Sequence, residues 1–116
     1  MPCDRRLRKY LRGIALACAA GFVCLGTGAV AAGRPVTHTV VIDGLKFQPE
    51  TLKVRRGDTV VWVNKDPFPH TATAAGVFDS HNIAAEHSWK YSANKTGEFT
   101  YVCTLHPTMK AILRVE

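Results

Sequence analysis

Gly57-Asp58-Thr59-Val60-Val61-Trp62-Val63-Asn64 is the stretch from which the rest of the chain is read. Thr59 to Val63 is an unbroken run of β-branched and aromatic residues behind an Arg56-Gly57-Asp58 turn, the composition of a buried strand. On its N-terminal side, Thr51–Val54 reads as a second strand and Val36–Ile42 as a third, closed by the turn signal Asp43-Gly44. On its C-terminal side, His87, Trp89 and Tyr91 alternate with Ser88, Lys90 and Ser92, the period of a half-buried strand. After a turn over 93–97 come Glu98–Cys103 and a last strand in which Ala111, Leu113 and Val115 alternate with Lys110, Ile112 and Arg114. The stretch from Asn64 to Ala85 is less regular and reads as loop with a short strand. Short strands at this spacing, with no helical pattern to cover a parallel sheet, predict an all-β, antiparallel sandwich or barrel.

The chain has 116 residues, room for one domain. Its formal charge of +6 is unevenly placed. Arg5, Arg6, Arg8, Lys9 and Arg12 face only Asp4, which leaves ten basic and eight acidic residues for the rest. A nucleic-acid binder carries its excess of basic residues on the folded body, so that class is set aside. Residues 1–32 have the form of an export signal: a basic start, an apolar run from Ile14 to Leu25, and a small-residue stretch ending in Ala31-Ala32. Glycines at 13, 21, 26 and 28 interrupt the apolar run, which favours a cleaved signal over a retained membrane span. Arg5-Arg6 leaves the twin-arginine route open beside the general secretory one. The expected division is therefore a signal over 1–32 and one domain over 33–116. Cys3, Cys18 and Cys24 fall in the signal, and neither Cys18 nor Cys24 follows the Leu-small-small pattern of a lipoprotein site. The domain keeps only Cys103, which has no partner for an internal disulfide and needs another reason to exist, such as a metal.

Cys103-Thr104-Leu105-His106-Pro107-Thr108-Met109 gathers a thiol, an imidazole and a thioether within seven residues. These are ligand types of a blue-copper site, in which two His and one Cys form a trigonal set and a weak axial Met completes it. The missing histidine is assigned to His70 in Pro67-Phe68-Pro69-His70, where the prolines restrict the backbone of its approach. Structural zinc is a poor fit, because its closed sites use Cys and His and a thioether binds it weakly. A Cys–His nucleophile is also a poor fit, since no helix N-terminus or oxyanion-forming loop accompanies Cys103. His38, His81 and His87 show no ligand spacing and are read as surface or half-buried packing.

The chain resembles the cupredoxins, and among them the small plastocyanin-like proteins, most closely the amicyanin group. Phe47, Gly57-Asp58-Thr59-Val60, Trp62-Val63-Asn64, Pro69-His70, and Gly97-x-Phe99-x-Tyr101-x-Cys103-x-x-His106-Pro107-x-Met109 carry the resemblance, which covers nearly all of 38–116. The short spacing from His106 to Met109 resembles the compact ligand loop of that group. The resemblance implies a Greek-key sandwich of about eight strands with one copper ion at one end. It makes His70, Cys103 and His106 the equatorial ligands and Met109 the axial one. It gives Asn64 the role of tying the ligand loops together, with Thr104 as its partner. It also implies an apolar docking patch of Phe68, Pro69, Leu105 and Pro107 around the edge of His106. Thr71 departs from the pattern, since the residue after the first histidine is often Asn in these proteins.

The function expected from these readings is periplasmic transport of single electrons, with no enzymatic step. The partners would be a dehydrogenase, a c-type cytochrome or a terminal reductase, and the carrier a monomer not inserted in the membrane after cleavage. The competing expectation is copper binding and delivery, for which exposed Met-rich or His-rich tracts are the usual sign; the domain has Met109 alone.

Overall fold

The computed structural model describes residues 33–116, together with Gly21 and Gly26 as isolated positions. The export-signal reading of 1–32, with Cys3, Cys18 and Cys24, lies outside the described residues apart from those two glycines. Nine strands are described, where about eight were expected: β1 (Thr37–Asp43), β2 (Lys46–Gln48), β3 (Thr51–Val54), β4 (Thr59–Asn64), β5 (Thr73–Ala74), β6 (Phe78–Asp79), β7 (Ser88–Ser92), β8 (Gly97–Cys103) and β9 (His106–Val115). Two sheets face each other, one in the order β2-β1-β4-β7 and the other β3-β9-β8-β5-β6. Among the described residues no helix is long and apolar enough to cross a membrane.

The sheets are mixed, which corrects the antiparallel expectation. β1 runs parallel to β4 and β3 parallel to β9. The reason is the path between sheets: after the β1–β2 hairpin the chain crosses to the other sheet for β3, then returns to lay β4 beside β1. The opposite sheet thus serves as the crossover that two parallel neighbours require, and no helix is needed. Local periodicity does not reveal such a crossing, because it reports which face is buried and not which strand lies alongside.

Alternation fixes the core. In β4, Val60, Trp62 and Asn64 point inward; in β8, Tyr101 and Cys103; in β9, Met109, Ala111, Leu113 and Val115. The aromatic centre is tightly knit, with ring centroids 4.8 Å apart for Phe47 and Tyr101 and 5.5 Å for Trp62 and Tyr101. A buried ring of this kind is worth about 3–5 kcal/mol relative to Ala, against a typical net stability of about 5–15 kcal/mol. This packing holds the sandwich together with no disulfide among the described residues, where Cys103 is free and buried.

At the end of the sandwich where β4 begins, Asp58 gathers three donors. Its carboxylate accepts the amides of Val36 (2.9 Å) and Arg55 (3.0 Å) and contacts Nε2 of His38 at 2.9 Å. Gly57, at φ 95°, supplies the left-handed residue that brings the carboxylate into place. The Val36 amide, followed by His38 and the Arg55 amide, lowers the Asp58 pKa from 3.8 to about 2. Because the folded value is the lower one, the stability Asp58 contributes is complete above about pH 4 and is lost as the pH falls from there through about 2. Asp58→Asn is therefore expected to lower the melting temperature at neutral pH and to flatten its dependence on pH between about 4 and 2. Thermal unfolding across that range checks both.

Candidate metal centre

The other end of the sandwich is built by two loops. The first leaves β4 at Asn64 and reaches His70, whose backbone pairs with Ile83 through N–H···O bonds of 3.1 and 2.7 Å in the two directions. The second is the turn Thr104-Leu105 between β8 and β9. There the pairing jumps from Val102–Lys110 to Cys103–His106, so that residues 107–109 bulge out of the ladder. Pro107, lacking an N–H, suits a position outside the ladder. The bulge brings the start of β9 back over the end of β8 while Met109 stays on the inward face.

His70 and Cys103 are fully buried, and His106 is half-buried. Sγ of Cys103 lies 3.6 Å from Nδ1 of His70 and 3.8 Å from Nδ1 of His106. The three donor atoms all fall within 4.8 Å of one another, the one such His/Cys/acid group able to hold a metal among the described residues. Gaps of this size are ones that a single ion bound to the sulfur and both nitrogens would span. Soft sulfur and borderline nitrogen, buried and with a thioether on the same end of the core, fit a soft-to-borderline ion. Phe68 screens the pair of imidazoles, its ring 5.1 Å from His70 and 5.7 Å from His106.

The supporting bonds differ in part from the expected ones. Asn64 is buried, and its amide donates to the carbonyls of Phe68 (2.8 Å) and Ile83 (2.9 Å), while its oxygen accepts the Asp66 amide at 2.9 Å. Both of its N–H groups are consumed by carbonyls of the His70 side, so the expected Asn64–Thr104 bond is not formed. The tie between the loops is made by Thr71, the residue that departs from the family pattern. Its hydroxyl accepts the Thr104 amide at 2.9 Å and lies 3.1 Å from the Thr104 hydroxyl, and its own amide donates to Sγ of Cys103 at 3.3 Å. One threonine thus joins the loops and places a backbone dipole on the sulfur.

Asp66 was missed in the sequence. Its carboxylate lies 2.7 Å from Nε2 of His70 and accepts the amides of Gly44 (2.7 Å) and Leu45 (3.0 Å). Burial pushes its pKa up, but the Leu45 amide, the His70 ring and the Gly44 amide together outweigh this and hold it below the usual carboxylate value. Since a carboxylate only accepts, the proton on His70 belongs on Nε2 and the lone pair on Nδ1, toward Cys103. The available signal was a carboxylate four residues before a candidate ligand. Phe68, Pro69, Leu105 and Pro107 are all exposed, Phe68 at 39% and Leu105 at 48%. His38 is half-buried against Asp58, and His81 and His87 are exposed; none joins the cluster.

A family model described as a cupredoxin-like domain matches residues 14–115, beginning inside the stretch read as an export signal. Amicyanin of Paracoccus denitrificans is 32% identical over 94 residues, covering 74% of this chain and 72% of that protein. A solved structure of an amicyanin variant in its Cu(I) form superposes with a TM-score of 0.66 at 29% identity, covering 69% of this chain and 82% of the other. The copper-containing nitrite reductase of Thermus scotoductus SA-01 gives a TM-score of 0.66 at 31% identity, covering 71% of this chain. The chain spans only 23% of that enzyme's length.

Thr71→Val keeps the shape and the amide-to-sulfur contact while deleting the hydroxyl that joins the loops. It is expected to cost about 1 kcal/mol of stability and to speed exchange of the Thr104 amide. Chemical denaturation and amide hydrogen exchange measure the two effects.

Proposed function

The chain belongs to the cupredoxin-like family, and we propose that it is a blue-copper electron carrier in which His70, Cys103 and His106 hold one copper ion and Met109 is the weak axial ligand. The observation that carries this reading is the buried Cys103 sulfur facing two imidazole nitrogens at 3.6 and 3.8 Å. Copper bound there supplies a Cu(I)/Cu(II) couple, one electron at a time. The protein's part is to keep the donors in nearly one arrangement in both states. Strands β8 and β9 fix Cys103 and Met109 by their alternation. The His70–Ile83 pairing and Asp66 fix the His70 ring, and Thr71 binds the two loops to each other. The Thr71 N–H on sulfur draws charge from it, a lever on the potential.

Four protein ligands leave no open position for a substrate, so the reading is a carrier and not an enzyme. His106 is the one half-buried member of the donor set, and Phe68, Pro69, Leu105 and Pro107 form an exposed apolar rim at the same end. This rim is the proposed face on which redox proteins dock: a dehydrogenase as donor, and a c-type cytochrome or terminal reductase as acceptor. In this reading residues 1–32 direct export and are removed, and residues 33–116 work in the periplasm as a diffusing monomer.

The test is the visible and electron paramagnetic resonance spectrum of the purified protein with Cu(II), before and after ascorbate. An intense blue band with narrow copper hyperfine splitting, bleached by reductant and restored by oxidant, supports the carrier. A pale, ordinary cupric spectrum removes Cys103 from the copper and leaves delivery as the function. Cys103→Ser is expected to abolish the blue band while the far-ultraviolet circular dichroism of the sandwich persists. Met109→Gln should retain copper and lower the reduction potential, as protein-film voltammetry would show.

A further inference from the structure

Gly44 and Leu45 join β1 to β2 in a two-residue turn, flanked by the pair Asp43–Lys46, and both have φ 59°. Glycine adopts this conformation freely, whereas for a bulky side chain such as Leu45 it is strained. Leu45 is nevertheless 46% exposed, so its burial does not repay the strain. What holds the turn is Asp66. Its Oδ1 accepts the Gly44 N–H, its Oδ2 accepts the Leu45 N–H, and the same Oδ2 lies 2.7 Å from Nε2 of His70. A single buried carboxylate is therefore shared between a strained surface turn and the imidazole whose other nitrogen faces Cys103.

We propose that Asp66 is a positioning residue that couples the Gly44–Leu45 turn to the His70 ring, so that occupancy at Nδ1 of His70 and restraint of the turn reinforce each other. The inference rests on the reading of His70 as a copper ligand. A metal on Nδ1 commits the ring proton to Nε2 and strengthens its hydrogen bond to Oδ2, which holds the carboxylate in the position from which it receives both turn amides. The reverse follows by linkage: whatever fixes the turn, including a protein pressed against exposed Leu45, favours the His70 orientation that binds metal. Among the described residues Asp66 is the one polar side chain that links the turn to this loop; beside it, the Lys65 amide donates to the Ile42 carbonyl at 2.7 Å, a backbone bond that Asp66→Asn leaves in place.

The experiment is amide hydrogen exchange by NMR on the exported protein, metal-free and with one equivalent of Cu(I). The Val77 amide, which closes the separate turn on Ala74, is the reference. Coupling predicts that Cu(I) slows exchange at Gly44 and Leu45 by at least about tenfold relative to Val77, and that Asp66→Asn reduces this effect to less than about twofold. The coupling is overturned if the wild-type amides do not respond beyond Val77, or if their response survives in Asp66→Asn. Should Asp66→Asn fail to fold, Leu45→Gly decides. Relieving the strain of the turn without removing any donor to Asp66 is expected to raise Cu(I) affinity about threefold, and an unchanged affinity overturns the proposal. Each sample is then oxidised and its blue band recorded. A wild-type protein without the band fails the copper reading itself, whereas a normal band with unresponsive turn amides fails the coupling alone.

Discussion

A sulfur atom at the end of an otherwise closed core is the constraint on which the rest of the structure depends. The inward face of β8 runs Tyr101 then Cys103, and that of β9 runs Leu113, Ala111 and Met109, so the alternation that packs the sandwich also delivers two sulfurs to one end of it. A buried thiol there has no disulfide partner among the described residues, and it is met by polar neighbours: the Thr71 amide and two imidazoles. The bulge at residues 107–109 and the proline-lined loop before His70 follow from the need to bring those neighbours in without opening the core.

Much of this was legible in the sequence because the signals are local. Strand alternation is a period of two and placed β7 to within a residue, as the run of β-branched residues behind a turn did β4. Cys103, His106 and Met109 lie within one hairpin, where donor type and spacing speak together. What was not legible involves groups brought together only by the closed fold. Asp66 is explained by amides at Gly44 and Leu45, on a turn of a different hairpin. Thr71 stood out as a departure from a pattern, but its compensation, a hydroxyl on the Thr104 amide, requires both loops to be in place. The three-residue β2 and the parallel pairings escaped for the same reason, since neither changes which side chains face inward.

Two buried groups stand apart from this economy. Nε1 of Trp62 and the hydroxyl of Tyr101 find no hydrogen-bond partner, although their rings are in contact. Desolvation pushes the Tyr101 phenol up to about 12, with the Trp62 indole opposing it, so it stays neutral at any ordinary pH. The core therefore gains its aromatic packing at the expense of two unsatisfied donors, while at both ends of the sandwich Asp58 and Asp66 are each supplied with three.

The parallel pairing of β3 with β9 sets Thr51 beside Ile112 and Val54 beside Val115, so a strand from the first half of the domain waits for the last one to be made. Chains dominated by such distant pairings close slowly, over milliseconds to seconds, because the entropy of loop closure is spent before the contacts repay it. His70 and Cys103 lie beside the pairing of Thr73 with Val102 that joins β5 to β8, so the two donors meet through a contact between segments distant in sequence. The pair of donors is therefore a property of the closed sandwich, and no single hairpin of it brings them together.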